Sequence, residues 1–189
     1  MTEQVSYFSY GSNMSTTRLR ARISSAKKFA TAMLPGHALR FHKHGQMDDS
    51  AKCDAFETGR SDHLVHGVVF QMAAEHVAIL DDIEGVGLGY EKKEVFVELI
   101  NGEIIQSFTY YATHIDASLK PLCWYVEHVL RGAREHALPS DYISDIERIA
   151  FKRDTNHGRR QHELSIYLSM TQKKSMKGIR FRAASPRDE

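Results

Sequence analysis

The sequence predicts an α+β fold, a small mixed β-barrel with flanking helices. Strand-like segments outnumber helical ones, and the two do not alternate in the regular order of a parallel α/β sheet. Six or seven short strands in one domain leave edges that must be managed, and curling the sheet into a barrel manages them. With 189 residues, the chain has the length of one domain, or of one domain with a tail, at ~100–200 residues per domain.

Residues 5–10 (VSYFSY) are aromatic-rich and read as a strand that stops at Gly11-Ser12-Asn13, a turn cluster. Ser15 can cap a short helix reaching Ile23. Strand-like stretches follow at 26–34, 38–44, 53–57 and 64–72, with a polar loop at 45–52. In 73–84, Ala73, Val77, Leu80 and Ile83 fall at helical spacing, and Gly85 stands where a helix C-cap glycine belongs. Residues 90–100 and 104–113 read as strands joined by Asn101-Gly102, a strong hairpin signal. Leu122, Tyr125, Val126, Val129, Leu130, Ala133 and Ala137 make 121–136 an amphipathic helix. Pro139 and Ser140 open another helix through Ile149, with Tyr142, Ile146 and Ile149 on one face. Residues 162–170 are too short a run for periodicity to choose between helix and strand. The expected division is a domain over 1–150 and a C-terminal extension over 151–189. Residues 170–189 hold six Lys/Arg and two acids, which suits a solvated tail or a polyanion-binding arm.

Composition narrows the function classes. Apolar residues make up 42% and charged residues 26%, enough to bury a core. Lys+Arg of 25 against Asp+Glu of 24 gives no general reason to expect nucleic acid as a partner. No apolar run approaches the ~18 residues of a membrane span. The first residues lack a basic and an apolar signal region, so a cytoplasmic setting is expected. The two cysteines, Cys53 and Cys123, cannot form a disulfide framework or a four-thiolate zinc site. The 11 histidines include His42 and His44 on one strand face and His63 and His66 three apart, without a His-Glu-x-x-His or a nearby cysteine pair. No metal or cofactor is expected, and a homodimer stays open.

Two places carry chemistry. Asp81, Asp82 and Glu84 crowd the last turn of one helix, where the dipole disfavours each negative charge by ~0.3–1 kcal/mol. Glu84 also falls in line with Val77 and Leu80, on the apolar face. A carboxylate so placed should have its pKa raised, which suits a proton acceptor and donor. If the helix ends one residue early, Glu84 faces water instead. The second place is the strand–turn–helix junction at 7–13, where successive backbone N–H groups can form an anion or oxyanion site, or merely an ordinary capped turn. A nucleophilic role for Ser12 lacks the Gly-x-Ser-x-Gly elbow.

Tyr-Phe-Ser-Tyr-Gly-Ser-Asn-Met at 7–14 resembles the N-terminal signature of the γ-glutamylcyclotransferase-like family. Asp-Ile-Glu-Gly-Val-Gly-Leu-Gly-Tyr at 82–90 resembles that family's catalytic segment, in the right order and about 70 residues on. His66-Gly67-Val68-Val69-Phe70, Tyr125, and Ala137-Leu138-Pro139-Ser140-Asp141-Tyr142 are similar as well. The segment Gly-Gln-Met-Asp-Asp-Ser-Ala-Lys-Cys-Asp at 45–54 does not follow any one subfamily. The resemblance implies the family's barrel, with Glu84 catalytic and Tyr7, Phe8, Ser9, Tyr10, Gly11 and Ser12 lining the substrate site. It implies that Tyr142 contacts a small-molecule γ-glutamyl substrate. The implied reaction is attack of the substrate's α-amine on its own γ-carbonyl, releasing 5-oxoproline and an amino acid or amine. Two alternatives stand beside it: a same-fold enzyme acting on a specialised γ-glutamyl metabolite or γ-glutamylamine, and a non-catalytic binding module.

Overall fold

The computed structural model describes residues 3–168; the basic segment at 170–189 lies outside the described residues. Seven strands and five helices follow in order: β1 (Gln4–Ser9), α1 (Thr16–Arg22), β2 (Lys27–Pro35), β3 (His37–Gly45), β4 (Ser50–Glu57), β5 (Leu64–Ala73), α2 (Val77–Glu84), β6 (Tyr90–Leu99), β7 (Ile104–Ala112), α3 (Cys123–Glu135), α4 (Ser140–Glu147) and α5 (His157–Leu164).

Five strands close into a mixed barrel in the order β1-β5-β2-β6-β7. Neighbours are antiparallel except at the closure, where β1 and β7 run parallel through Tyr7 and Phe108. The seven strands agree with the six or seven expected, and five of them close the barrel. β3 and β4 form a separate two-stranded ribbon, tied to the barrel by Asp54, whose Oδ1 accepts from the Ala112 N–H at 2.8 Å. The 45–52 loop is also shorter than expected. β4 begins at Ser50, because the Asp48 carboxylate gathers the Ser50 hydroxyl at 2.8 Å and the Lys52 ammonium at 2.6 Å.

β5 is buried on both faces. Val65, Val68, Val69, Phe70 and Met72 are all inaccessible to solvent, because one face fills the barrel and the other lies under helices. Each such side chain contributes about 1.5–3 kcal/mol of burial. α1 begins at its expected cap, where the Ser15 side chain accepts from the Arg18 N–H. α3 is the long amphipathic helix, and it ends where Ala137 turns to φ 50°. Of the stretch 162–170, residues 162–164 end α5 and Ser165–Tyr167 form a 3-10 turn, while 169–170 lie outside the described residues. α5 begins at His157, because the Asn156 side chain caps it by accepting from the Arg159 N–H at 2.9 Å.

α3 presses directly on the turn after β1, at Met14 and Ser15. A Cβ on Gly132 would sit 2.5 Å from Met14 Cβ and 2.6 Å from the Ser15 nitrogen, so only glycine permits this approach. Gly132→Ala is therefore expected to cost about 1–3 kcal/mol by overpacking, read from the urea midpoint.

The segment after α4 folds back over α1 and α3. The Trp124 indole donates to Asp154 at 2.7 Å, and Arg18 pairs with Glu163 at 2.9 Å. His128 is fully buried beneath this segment. Arg18 donates to its Nε2 at 3.0 Å, so its own proton sits on Nδ1, facing the Tyr167 hydroxyl at 2.7 Å. Burial, reinforced by Arg18 and opposed by Glu163, holds its pKa down to about 4. The native state therefore binds fewer protons than the unfolded chain between about pH 6.5 and pH 4. The stability this group contributes is whole above that window and lost as pH falls through it. Urea midpoints taken from pH 7 to pH 4 should fall, and His128→Gln should flatten the slope.

Candidate active site

α2 ends at Glu84 because Gly85 adopts the left-handed conformation at φ 73° and returns its N–H to the Asp81 carbonyl at 2.9 Å. Glu84 is thus the last helical residue, and its side chain is only 17% exposed, which removes the water-facing alternative. The other acids of that turn diverge. Asp81 accepts from the Tyr110 hydroxyl at 2.7 Å and from Lys92 at 2.6 Å, whereas Asp82 faces the outer surface of the site.

Glu84 is held from the opposite side of the chain. The residues after β1 form a 3-10 turn over Ser12–Met14, closed by the Met14 N–H on the Gly11 carbonyl at 3.0 Å. From this turn Asn13 Nδ2 donates to Glu84 Oε1 at 2.9 Å. Arg22, in the last turn of α1, donates to the same oxygen at 3.0 Å and to Asn13 Oδ1 at 3.0 Å. The three side chains close a triangle. Both bonds to the carboxylate fall on Oε1, and Oε2 makes no hydrogen bond among the described residues.

Glu84 faces a cleft with about 290 Å³ of space between atoms, part of it open to solvent. Tyr7, Ser9, Tyr10, Gly11 and Ser12 line it, so six of the eight residues expected at the site meet there. Phe8 does not. Strand alternation sends it away from Tyr7 and Ser9 into the core, where it is fully buried. Tyr142 does not either. On α4 it packs against the His66 ring, with centroids 4.8 Å apart, and lines a separate cavity with Phe41, His63 and Ile146. The apolar face of α4 is turned to that cavity, which carries Tyr142 off the Glu84 cleft.

The remaining walls are Asn13, Cys53, Tyr90, Tyr110 and Tyr125. Two tyrosines clamp β4 at Cys53: Tyr125 Oη accepts from its N–H at 3.0 Å, and Tyr90 Oη donates to its carbonyl. Tyr10 Oη donates to the Tyr110 carbonyl at 2.6 Å. Burial raises the pKa of Tyr7, Tyr10, Tyr90, Tyr110 and Tyr125, so all five phenols are neutral donors. Burial likewise pushes the Cys53 thiol up to about 12, which leaves no thiolate near neutral pH. Among the described residues no three His, Cys, Asp or Glu side chains are placed to share a metal ion, and no helix is long and apolar enough to cross a membrane.

Sequence reasoning missed Arg22, whose only signal is its place among the basic residues of a short helix. Asn13 stood in the turn cluster without an assigned role. Tyr125 stood among the family matches, but its contact with Cys53 joins residues 72 positions apart.

The fold and site together are those of a small closed mixed barrel with a sheltered carboxylate in a polar cleft, and the comparisons with known proteins identify its family. Residues 64–146 match the AIG2-like family. The γ-glutamylcyclotransferases of Bos taurus and Homo sapiens are each 32% identical to this chain over 152 residues, covering 78% of it and 79% of their own length. A solved γ-glutamyl cyclotransferase superposes with a TM-score of 0.76 at 27% identity, over 93% of this chain and 99% of its own. The chain belongs to the γ-glutamylcyclotransferase family and is an enzyme of that type.

The triangle sets the geometry of Glu84, and losing a corner removes a hydrogen bond from its carboxylate. A hydrogen bond to a charged group is worth about 1.5–3 kcal/mol. Asn13→Ala is therefore expected to cost about 1.5–3 kcal/mol of stability, read as a lower thermal midpoint.

Proposed function

We propose that Glu84 is the acid/base carboxylate of a cyclotransferase that closes a γ-glutamyl group onto itself. The observation that carries this reading is the sheltered Glu84 carboxylate, bonded on Oε1 by Asn13 and Arg22 with Oε2 unbonded, beside the Gly11–Ser12 main chain. A γ-glutamyl amide carries its own nucleophile, the α-amine. At neutral pH that amine is an ammonium, so a base must first take a proton. Glu84 Oε2 fills this role, while Arg22 and Asn13 keep the other oxygen in place.

The freed amine attacks the γ-carbonyl, and a nitrogen–carbon bond forms as the carbonyl π electrons move to oxygen. Main-chain N–H groups at Gly11 and Ser12 are the donors for that oxyanion. The first N–H groups of a helical turn have no partner within the turn itself, and such donors are worth about 2.7–4 kcal/mol each in other enzymes. When the intermediate collapses, the amide carbon–nitrogen bond breaks and Glu84 passes its proton to the departing nitrogen. The new ring nitrogen gives its surplus proton to the Glu84 carboxylate so emptied, which releases it to water, leaving 5-oxoproline and a free amine or amino acid. A narrow cleft adds an entropic advantage by holding the substrate folded toward ring closure.

Glu84→Gln keeps the shape and both hydrogen-bond partners but cannot take a proton. It should lower 5-oxoproline release by about 10²–10⁴-fold, the usual worth of a general base, with an unchanged circular-dichroism spectrum. Release at the parent rate would remove Glu84 from the mechanism.

A further inference from the structure

The Glu84 cleft opens into a basin with about 1450 Å³ of space between atoms, part of it open solvent, and Ser12, Glu84, Tyr90 and Tyr125 face both spaces. Five basic side chains line the basin. Four of them are committed: Arg18 to Glu163 at 2.9 Å, Arg22 to Glu84 at 3.0 Å, Lys52 to Asp48 at 2.6 Å, and Arg159 to Asp154 at 2.6 Å. The fifth, Lys43, has no carboxylate partner among the described residues.

Lys43 is nevertheless only 8% exposed, with its ammonium 4.7 Å from the centroid of the Tyr90 ring. A buried charge without a counter-ion is costly, and burial lowers the lysine pKa despite the opposing pull of Glu84 and Asp48. The chain goes to some length to put it there. β3 bulges between Phe41 and Lys43, which brings Lys43 directly opposite Lys52 on β4. Like charges so paired repel. Gly89 clears the path of the arm, since a Cβ there would lie 3.0 Å from Lys43 Cε. A mostly buried lysine opposite another lysine, with no carboxylate bonded to its ammonium among the described residues and the ammonium facing the basin, is arranged for an anion from outside the chain.

We propose that Lys43 is the residue that reads the carboxylate of the leaving amino acid, so that discrimination against neutral γ-glutamylamines rests on this one side chain. This rests on the reaction assigned to Glu84. The γ-glutamyl half must put its α-amine beside Glu84, in the inner cleft, which Lys43 does not line. The substituent on the amide nitrogen then extends into the basin that Lys43 does line.

The test compares 5-oxoproline release from γ-glutamyl-L-alanine and γ-glutamyl-ethylamide, which differ by that one carboxylate. The parent enzyme should favour the alanine compound at least tenfold in kcat/KM. Lys43→Met should bring the ratio near unity, chiefly by raising KM for the alanine compound, and Lys43→Arg should keep most of it. The ratio is read within each variant, so a loss of folded enzyme cancels. A parent enzyme without the preference, or a Lys43→Met enzyme that retains it, overturns the role of Lys43 and leaves the reaction standing. A parent enzyme that releases 5-oxoproline from neither compound overturns the reaction itself, and this inference with it.

Discussion

The Glu84–Asn13–Arg22 triangle is the constraint on which the site depends. Its corners come from three elements: the end of α2, the turn after β1 and the end of α1. A carboxylate at a helix C-terminus is opposed by the dipole and by its partial burial. It is tolerated here because a guanidinium and an amide meet it on one oxygen. The same two bonds fix where the other oxygen stands. What stabilises the carboxylate also orients it.

Around that triangle the barrel supplies a wall of phenols. Five tyrosines line the cleft, and three of their hydroxyls bond main-chain groups of β4 and β7. Buried phenols held neutral give a polar lining without charge, so the field in the cleft is set by Glu84 and Arg22. The ribbon β3–β4 depends on the same contacts. Tyr90 and Tyr125 clamp Cys53, and Asp54 joins the ribbon to β7 through the Ala112 N–H and accepts His42 at 2.8 Å. The ribbon is therefore a wall of the site and not an ornament on the barrel. Its turn and its bulge bring Lys43 and Lys52 to the outer basin.

The helices at the other side are held by sterics. α3 lies against the turn after β1 through Gly132, and His136 on the same side donates from Nε2 to the Met14 carbonyl at 2.9 Å. The turn is thus packed from behind by α3 at Met14 and Ser15, and the Asn13 side chain bonds it from the front to Glu84. Both contacts favour a turn that does not relax when the cleft fills.

Local chemistry made much of this legible in the residues alone. The strand ending at Gly-Ser-Asn, the helix stopped by Gly85 after Glu84, the Asn-Gly hairpin and the apolar stripe of α3 each follow from short-range preferences, and each stands where those preferences put it. The two segments stand out as local anomalies, turn residues and a misplaced acid, while their roles came from the family resemblance. Other features are relations between distant parts of the chain, and no window of sequence contains them. The closure of the barrel through β1 and β7 left β3 and β4 outside it. Strand alternation, once the barrel interior was defined, turned Phe8 away from the cleft, and the seating of α4 carried Tyr142 to another cavity. Arg22 acquired its partner 62 residues away because α1 and α2 end at the same point in space. The sequence by itself determined the elements and the carboxylate. Which groups meet that carboxylate was decided by the tertiary structure, because charge and hydrogen-bond complementarity act through distance in space and not along the chain.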